Sequence, residues 1–261
     1  MKKNISFYYG FDGNYERSVE FLKEVGFDGV MALFERTPNF YKEIDLALNA
    51  GLEVESIHLP FRNVVNDLWL PTELGDFYFS QVIKGADYAK SIGVDKLTMH
   101  ISSSPTPPPM SEIGFNRLLK IAEYYEKQGL TLCIENLRRL DYFWGVMNKM
   151  PESVKVCYDA GHHNIYYPND FDVAECIDRV ALLHLHDNFG KTDDHFLPFE
   201  GTCDWVKICS RIAKMPLIKG ITLEVHGSKD EDKLKDEYEY LRYVMDCAKR
   251  IEQMVGEYEN E

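Results

Sequence analysis

The sequence predicts an α/β fold, a (β/α)8 TIM barrel in a single domain over residues 1–261, on three observations. Short apolar runs alternate with amphipathic stretches along the whole chain, and runs of that length read as strands buried on both faces. Six of them end in an imidazole or a carboxylate: SIH at His58, LTMH at His100, LCIE at Glu135, VCYD at Asp159, ALLHLHD at His184, His186 and Asp187, and ITLE at Glu224. The long connections follow those polar ends. An open doubly wound sheet gathers its site at one switch point. A closed barrel delivers every strand end to one face, where barrel chemistry sits. Six polar ends therefore favour the barrel.

Strands are expected at 5–9, 29–33, 54–58, 96–100, 131–135, 154–159, 180–185 and 220–224. Helix 14–25 stops at Gly26 and helix 40–50 at Gly51, glycines placed to take the left-handed turn that closes a helix. Stretches 76–91, 111–128, 172–178 and 205–214 continue the alternation. The last helix, 233–255, sets Leu234, Tyr238, Leu241, Met245, Ala248 and Ile251 on one face against the barrel wall. The run PTPPP at 105–109 is stiff and reads as a rigid rim. No Gly/Ser-rich linker divides the chain.

The 261 residues suit one barrel of about 250. Hydrophobic content of 45% and charged content of 28% are ordinary for a globular protein. No apolar stretch is long enough to span a membrane. The start, MKKNISFYYGFDG, lacks the apolar core of a signal peptide, so a cytoplasmic location is expected. A net charge of −14 disfavours nucleic acid and anionic membranes as partners. The six cysteines form no CxxC pair, which fits a reducing compartment and argues against a cysteine metal site.

Glu135, Asp159, His184 and Glu224 form a mixed nitrogen and oxygen donor set from four strands. Such a set suits a hydrated divalent ion, zinc or manganese, with positions left for substrate oxygens. The competing reading pairs the glutamates with barrel cations. Only Lys96, Lys155 and Lys219 lie in the strands concerned, so the metal is favoured. A second group comprises His58, His100, His162 (three residues after Asp159), Asp193 and His195. These residues either hold further ions, up to three in all, or bind substrate and orient the first four ligands. Arg62, Trp69 and Arg138, in strand-end loops, are candidate substrate contacts, with surface or core roles as the alternative.

The segments CIEN at 133–136, YDAGHHN at 158–164 and HLHDNFGKTDDHFLPFEGTCDW at 184–205 carry a resemblance to the xylose isomerase-like TIM barrel superfamily. That superfamily holds sugar phosphate isomerases and epimerases, inosose-processing enzymes and endonuclease IV. Resemblance to the sugar enzymes implies metal ligands at Glu135, Asp159, His184 and Glu224, with the two glutamates also moving protons. It implies a metal-dependent sugar or sugar phosphate isomerase/epimerase, working through a metal-stabilised enediolate, with His162 hydrogen-bonded to the substrate carbonyl. Resemblance to endonuclease IV implies a three-zinc phosphoesterase with His58, His100, Glu135, Asp159, His162, His184, Asp193, His195 and Glu224 as ligands. Two departures count against DNA as the substrate: Asp194 stands where that family has a phosphate-binding arginine, and Phe199 where it has a glycine. A small-molecule sugar or polyol is the expected partner, and the sequence leaves a homo-oligomer open.

Overall fold

β1 (Lys2–Ser6) pairs on one side with β2 (Gly29–Leu33) and on the other with β8 (Gly220–Leu223). The computed structural model describes residues 1–11, 14–61, 63–169 and 171–259. β3 (Glu53–His58), β4 (Lys96–Met99), β5 (Thr131–Glu135), β6 (Lys155–Asp159) and β7 (Val180–His184) complete a parallel sheet in the order β7-β6-β5-β4-β3-β2-β1-β8. Two backbone bonds join its edges. Leu185 N donates to Thr222 O at 3.0 Å, and Glu224 N to Leu185 O at 3.1 Å. Because every pairing is parallel, all the polar strand ends reach one face.

The first strand sits three residues earlier than its expected place at 5–9. Lys2 pairs with Gly220 and Asn4 with Gly29, so the register uses Lys2–Ser6. Phe7, Tyr8 and Tyr9 continue beyond the strand as buried aromatics. The apolar pattern marked their burial and not their hydrogen bonding.

α1 (Tyr15–Val25) ends at Gly26 with φ 100°, and α2 (Phe40–Asn49) is followed by Gly51 at φ 80°. α3 (Glu73–Ser91) and α4 (Glu112–Gln128) are capped by Thr72 and Ser111, whose hydroxyls accept from Gly75 N at 3.1 Å and Gly114 N at 3.2 Å. Two helices were not announced by periodicity, α5 (Leu140–Met147) and α6 (Ala160–Tyr166). Both are too short for a clear helical stripe. α6 starts on the strand-end Asp159, whose Oδ1 accepts from His162 N at 2.6 Å. The stretch expected at 172–178 is a 3-10 segment, Val173–Arg179, followed in sequence by β7 and then α7 (Trp205–Ile212). α8 (Glu237–Glu259) buries Tyr240, Leu241, Val244, Met245, Ala248, Ile251 and Val255 on one face. Leu234 lies before it, in the 3-10 turn Glu231–Leu234. Each large aliphatic buried there contributes about 1.5–3 kcal/mol.

Most of the core lies between strands and helices. A separate small cluster, Cys133, Cys157 and Leu182, sits two residues before Glu135, Asp159 and His184 respectively. Alternation along a strand puts them on the same side as those three, so they form the floor beneath the polar ends. No helix among the described residues is long and apolar enough to cross a membrane.

Candidate metal centre

Each strand end brings one polar group to the mouth of the barrel. Glu135 ends β5 and lies at the centre. Its Oε2 is 2.9 Å from His100 Nε2 and 3.2 Å from His58 Nε2. Its Oε1 is 3.2 Å from His184 Nδ1 and 3.4 Å from His162 Nδ1. Glu224, just past β8, reaches the same His184 Nδ1 at 3.0 Å. Single ligand atoms of Glu135, Asp159, His184 and Glu224 all lie within 4.8 Å of one another. Asp159 is held in place by Asn136, which donates to Asp159 O at 2.9 Å and accepts from Asp159 N at 2.8 Å.

The second group closes round this set. His162 Nε2 is 3.3 Å from Asp193 Oδ2, and Asp193 Oδ1 is 3.5 Å from His195 Nε2. His195 holds a left-handed backbone, φ 50°, which costs energy for a residue with a Cβ. Three imidazoles share one arrangement. His58 Nδ1 contacts Leu59 O at 2.7 Å, His162 Nδ1 contacts Asn136 O at 3.1 Å, and His195 Nδ1 contacts Glu224 O at 2.7 Å. A carbonyl can only accept, so each Nδ1 carries a hydrogen, which leaves Nε2 as the nitrogen a metal would take. Metal-binding histidines are commonly oriented by a carbonyl in this way.

The electrostatics fit a cation. Burial works against charge on Glu135, yet His184 and then His100 hold its carboxyl well below the usual range. Burial likewise opposes charge on Glu224 and Asp193, and neighbouring imidazoles hold both low. The histidines respond in the opposite sense. Burial lowers His162, but Asp159 and Asp193 raise it to about 10; His195 rises against burial to about 9, through Asp193 and Glu224. Protons on imidazoles thus balance four carboxylates, a role that a divalent ion takes over by displacing them. Among the described residues no lysine or arginine pairs with Glu135, Asp159, Asp193 or Glu224; Lys96 pairs with Asp95 instead. Asp159 Oδ2, His184 Nε2, Asp193 Oδ1 and His100 Nδ1 are buried without hydrogen-bond partners. Buried polar atoms are rarely left so, and the donor set suits a hard or borderline divalent metal.

The expected substrate contacts separate. Trp69 is 1% exposed, with its indole N–H donating to Ile101 O at 2.8 Å and its ring against Phe115 and Tyr142. The structure therefore places it in the core, because the segment after β3 folds back as a 3-10 helix, Asn63–Trp69, under α4. Arg138 is at the rim, donating to Ser103 O at 3.1 Å and lying 5.5 Å from the Tyr166 ring, itself 6.0 Å from His162. Arg62 lies outside the described residues.

Several residues at the centre were not in the expected ligand set. His186 is fully buried, with Nε2 3.2 Å from Asp159 Oδ1. Its position two residues after His184 was the available signal. His226 stacks on His195 at 4.4 Å, and Phe61 packs on His58 and His100 at 4.9 and 5.2 Å. Asp187, also in the polar run, serves the fold: its carboxylate accepts from Trp205 Nε1 at 2.8 Å and from Cys203 N at 3.1 Å. Asp194 accepts the Thr192 hydroxyl at 2.5 Å. Phe199 adopts φ 74°, the left-handed region that favours glycine, and its ring lies 3.8 Å from the Arg250 guanidinium.

Known proteins share this architecture. Residues 19–244 match the model of the xylose isomerase-like TIM barrel family. The uncharacterized protein y4fM of Sinorhizobium fredii is 37% identical over 104 residues, 40% of this chain and 32% of that protein. The chain thus spans about a third of the length of that curated relative. Two solved structures, a D-tagatose 3-epimerase-like protein and the D-psicose 3-epimerase of Clostridium cellulolyticum H10 with D-tagatose, each superpose with a TM-score of 0.77. Both alignments cover 98% of this chain and 99% of the other, at 17% and 16% identity, a level that shows the fold alone. With the family match running from α1 into α8, the chain belongs to the xylose isomerase-like TIM barrel family.

Proposed function

We propose that this protein is a divalent-metal-dependent isomerase or epimerase of a sugar or sugar phosphate, with zinc or manganese held by Glu135, Asp159, His184 and Glu224. The observation that carries the reading is the pair of glutamates from two different strands that converge on His184, at 3.2 and 3.0 Å from the same nitrogen. The two superposed structures, a D-tagatose 3-epimerase-like protein and a D-psicose 3-epimerase, support the same reading.

A divalent ion there would polarise a substrate carbonyl and offset the charge of an enediolate. The rest falls to side chains. One glutamate takes the proton from the carbon beside the carbonyl, and the other returns a proton from its own face. Glu135 is 1% exposed and Glu224 14% on the side chain, so Glu224 is the member that exchanges with water. His162 lies 3.4 Å from Glu135 Oε1; its Nδ1–H is given to Asn136 O, so its donor to the substrate carbonyl would be a protonated Nε2, in the form of the protein where no ion takes that nitrogen. Arg138 would grip the distal end of the substrate at the rim, a role that the sequence also offers to Arg62. The barrel acts as one domain over residues 1–261, in the cytoplasm, on a small sugar or polyol.

The test is incubation of candidate ketoses and aldoses in heavy water. Deuterium should appear at the carbon next to the carbonyl, and Glu135→Gln and Glu224→Gln that retain metal should each suppress it. Turnover without carbon-bound exchange would overturn the proposal. One observation supports a second reading, an endonuclease IV-like zinc phosphoesterase: His58, His100, His162, Asp193 and His195 all crowd the same centre. That reading requires release of phosphate or cleavage of abasic DNA at physiological salt, with no exchange at carbon.

A further inference from the structure

His186 is absent from the ligand set that the resemblance implies, yet it lies inside the centre. It is fully buried, and neither ring nitrogen has a hydrogen-bond partner. Leaving both unsatisfied costs free energy unless something else takes a lone pair. Its Nε2 is 3.2 Å from Asp159 Oδ1 and 3.8 Å from Asp193 Oδ1, with neither contact in hydrogen-bonding orientation. The same carboxylate of Asp193 meets His162 Nε2 at 3.3 Å and His195 Nε2 at 3.5 Å. Ligands bound at about 2.0–2.1 Å to a tetrahedral ion stand about 3.3 Å from one another. The separations here bracket that value, and carbonyls engage the Nδ1 atoms of His162 and His195, so Nε2 is the atom each would give to an ion that displaces its proton.

The backbone makes room for this ring. A Cβ on Gly161 would meet His186 Cε1 at 2.0 Å, Nδ1 at 2.4 Å and Nε2 at 2.5 Å. The nitrogen-bearing edge of the imidazole therefore lies where a Cβ on residue 161 would displace it. Its face stacks on His195 at 4.0 Å and 14°. Gly161 and His186 are thus fitted to each other, one on α6 and one past β7.

We propose that His186 is a ligand of a second divalent ion, held with His162, Asp193 and His195 beside Asp159. Ligand atoms of His186, Asp193 and His195 lie within 4.8 Å of one another, as do those of Asp159, His162 and His186, so His186 joins the two triads; drawn in around an ion, three imidazoles and a carboxylate would complete a tetrahedral shell, as in closed sites that hold an ion without offering it to substrate. The first ion, on Glu135, Asp159, His184 and Glu224, keeps its open positions. This assignment extends the metal reading above and stands whatever the reaction is.

The experiment is metal analysis of the full chain loaded with Zn²⁺, and Co²⁺ absorption spectra of the same variants. His186→Phe keeps an aromatic ring against His195 and removes both nitrogens. It should lower bound zinc by one equivalent relative to the natural protein and remove one component of the cobalt spectrum, with an unchanged circular dichroism spectrum. Gly161→Ala, which pushes the ring aside, should lose the same equivalent, and adding Asp193→Asn to either should lose no more. Glu135→Gln should lose a different equivalent and keep the His186-dependent cobalt band. Full zinc content with an unaltered cobalt spectrum in His186→Phe overturns the proposal. If that variant is poorly folded, Gly161→Ala decides by the same two readings.

Discussion

At the residue scale, the centre is defined by which atom each side chain offers. Backbone carbonyls choose Nε2 on His58, His162 and His195, and Asn136 fixes the backbone of Asp159. Glu135→Gln and Asp159→Asn each remove an anionic oxygen from the four-residue set. Each should weaken metal binding at least tenfold, read by elemental analysis after dialysis against a chelator. Unchanged metal content in both would show that the ion sits elsewhere. A neighbouring histidine gives a pH test. His163 Nδ1 contacts the Tyr158 hydroxyl at 2.8 Å, and burial, followed by the charge of Lys207, pushes its pKa down to about 4. In the unfolded chain the value is about 6.5. As pH falls from 6.5 toward 4 the unfolded chain binds a proton that the folded one refuses, so this residue removes stability across that window. His163→Gln should therefore lose less stability than the natural protein between pH 7 and pH 5, measured by urea midpoint on metal-free samples. Equal losses would remove His163 as a contributor.

At the element scale, the strand ends were legible and the short helices were not. Runs ending in His58, Glu135 and Asp159 finish at those residues in the structure, because an apolar run that fills both faces of a strand must end where the polar mouth begins. α5 and α6, of 8 and 7 residues, give too few turns to display a period. Trp69 marks the limit of loop reading: a bulky aromatic after a strand end suggests a substrate platform, yet its N–H and its ring are spent on the core. Trp69→Ala should cost about 3–5 kcal/mol in unfolding free energy and leave metal content unchanged. Metal loss at preserved stability would restore a place at the site. Thr72→Ala removes the cap of α3 and should cost about 1 kcal/mol, again without metal loss.

For the whole molecule, four carboxylates at one mouth, Glu135 and Asp159 buried and Asp193 and Glu224 partly so, make an ion-free barrel self-repelling, relieved by protonated imidazoles. An ion that binds only the folded state raises stability by mass action, about 2.7 kcal/mol at a hundred times its Kd. Zinc or manganese should therefore raise the thermal midpoint by several degrees, EDTA should reverse the gain, and Asp159→Asn should reduce it. A midpoint indifferent to metal in the natural protein would contradict the centre. The cysteines add a second global probe. Burial pushes the thiols of Cys157, Cys176, Cys209 and Cys247 up to about 12 and Cys133 well above its ordinary value. A thiol reagent at pH 8 should find these groups unreactive in the native protein and reactive in denaturant.

The alternation of apolar runs and the six polar strand ends determined the barrel and the face that carries its chemistry, because strand burial and strand length are local properties of the chain. The roles of single residues were decided only by closure. His186, a mere neighbour of His184 along the chain, meets Asp159 across β6 and β7, and its ring fits because residue 161 is glycine on a different element. Trp69 went to the core, and β1 shifted to Lys2–Ser6, for the same reason. Which atom faces which depends on the register between strands distant in sequence, and a one-dimensional pattern does not contain that register.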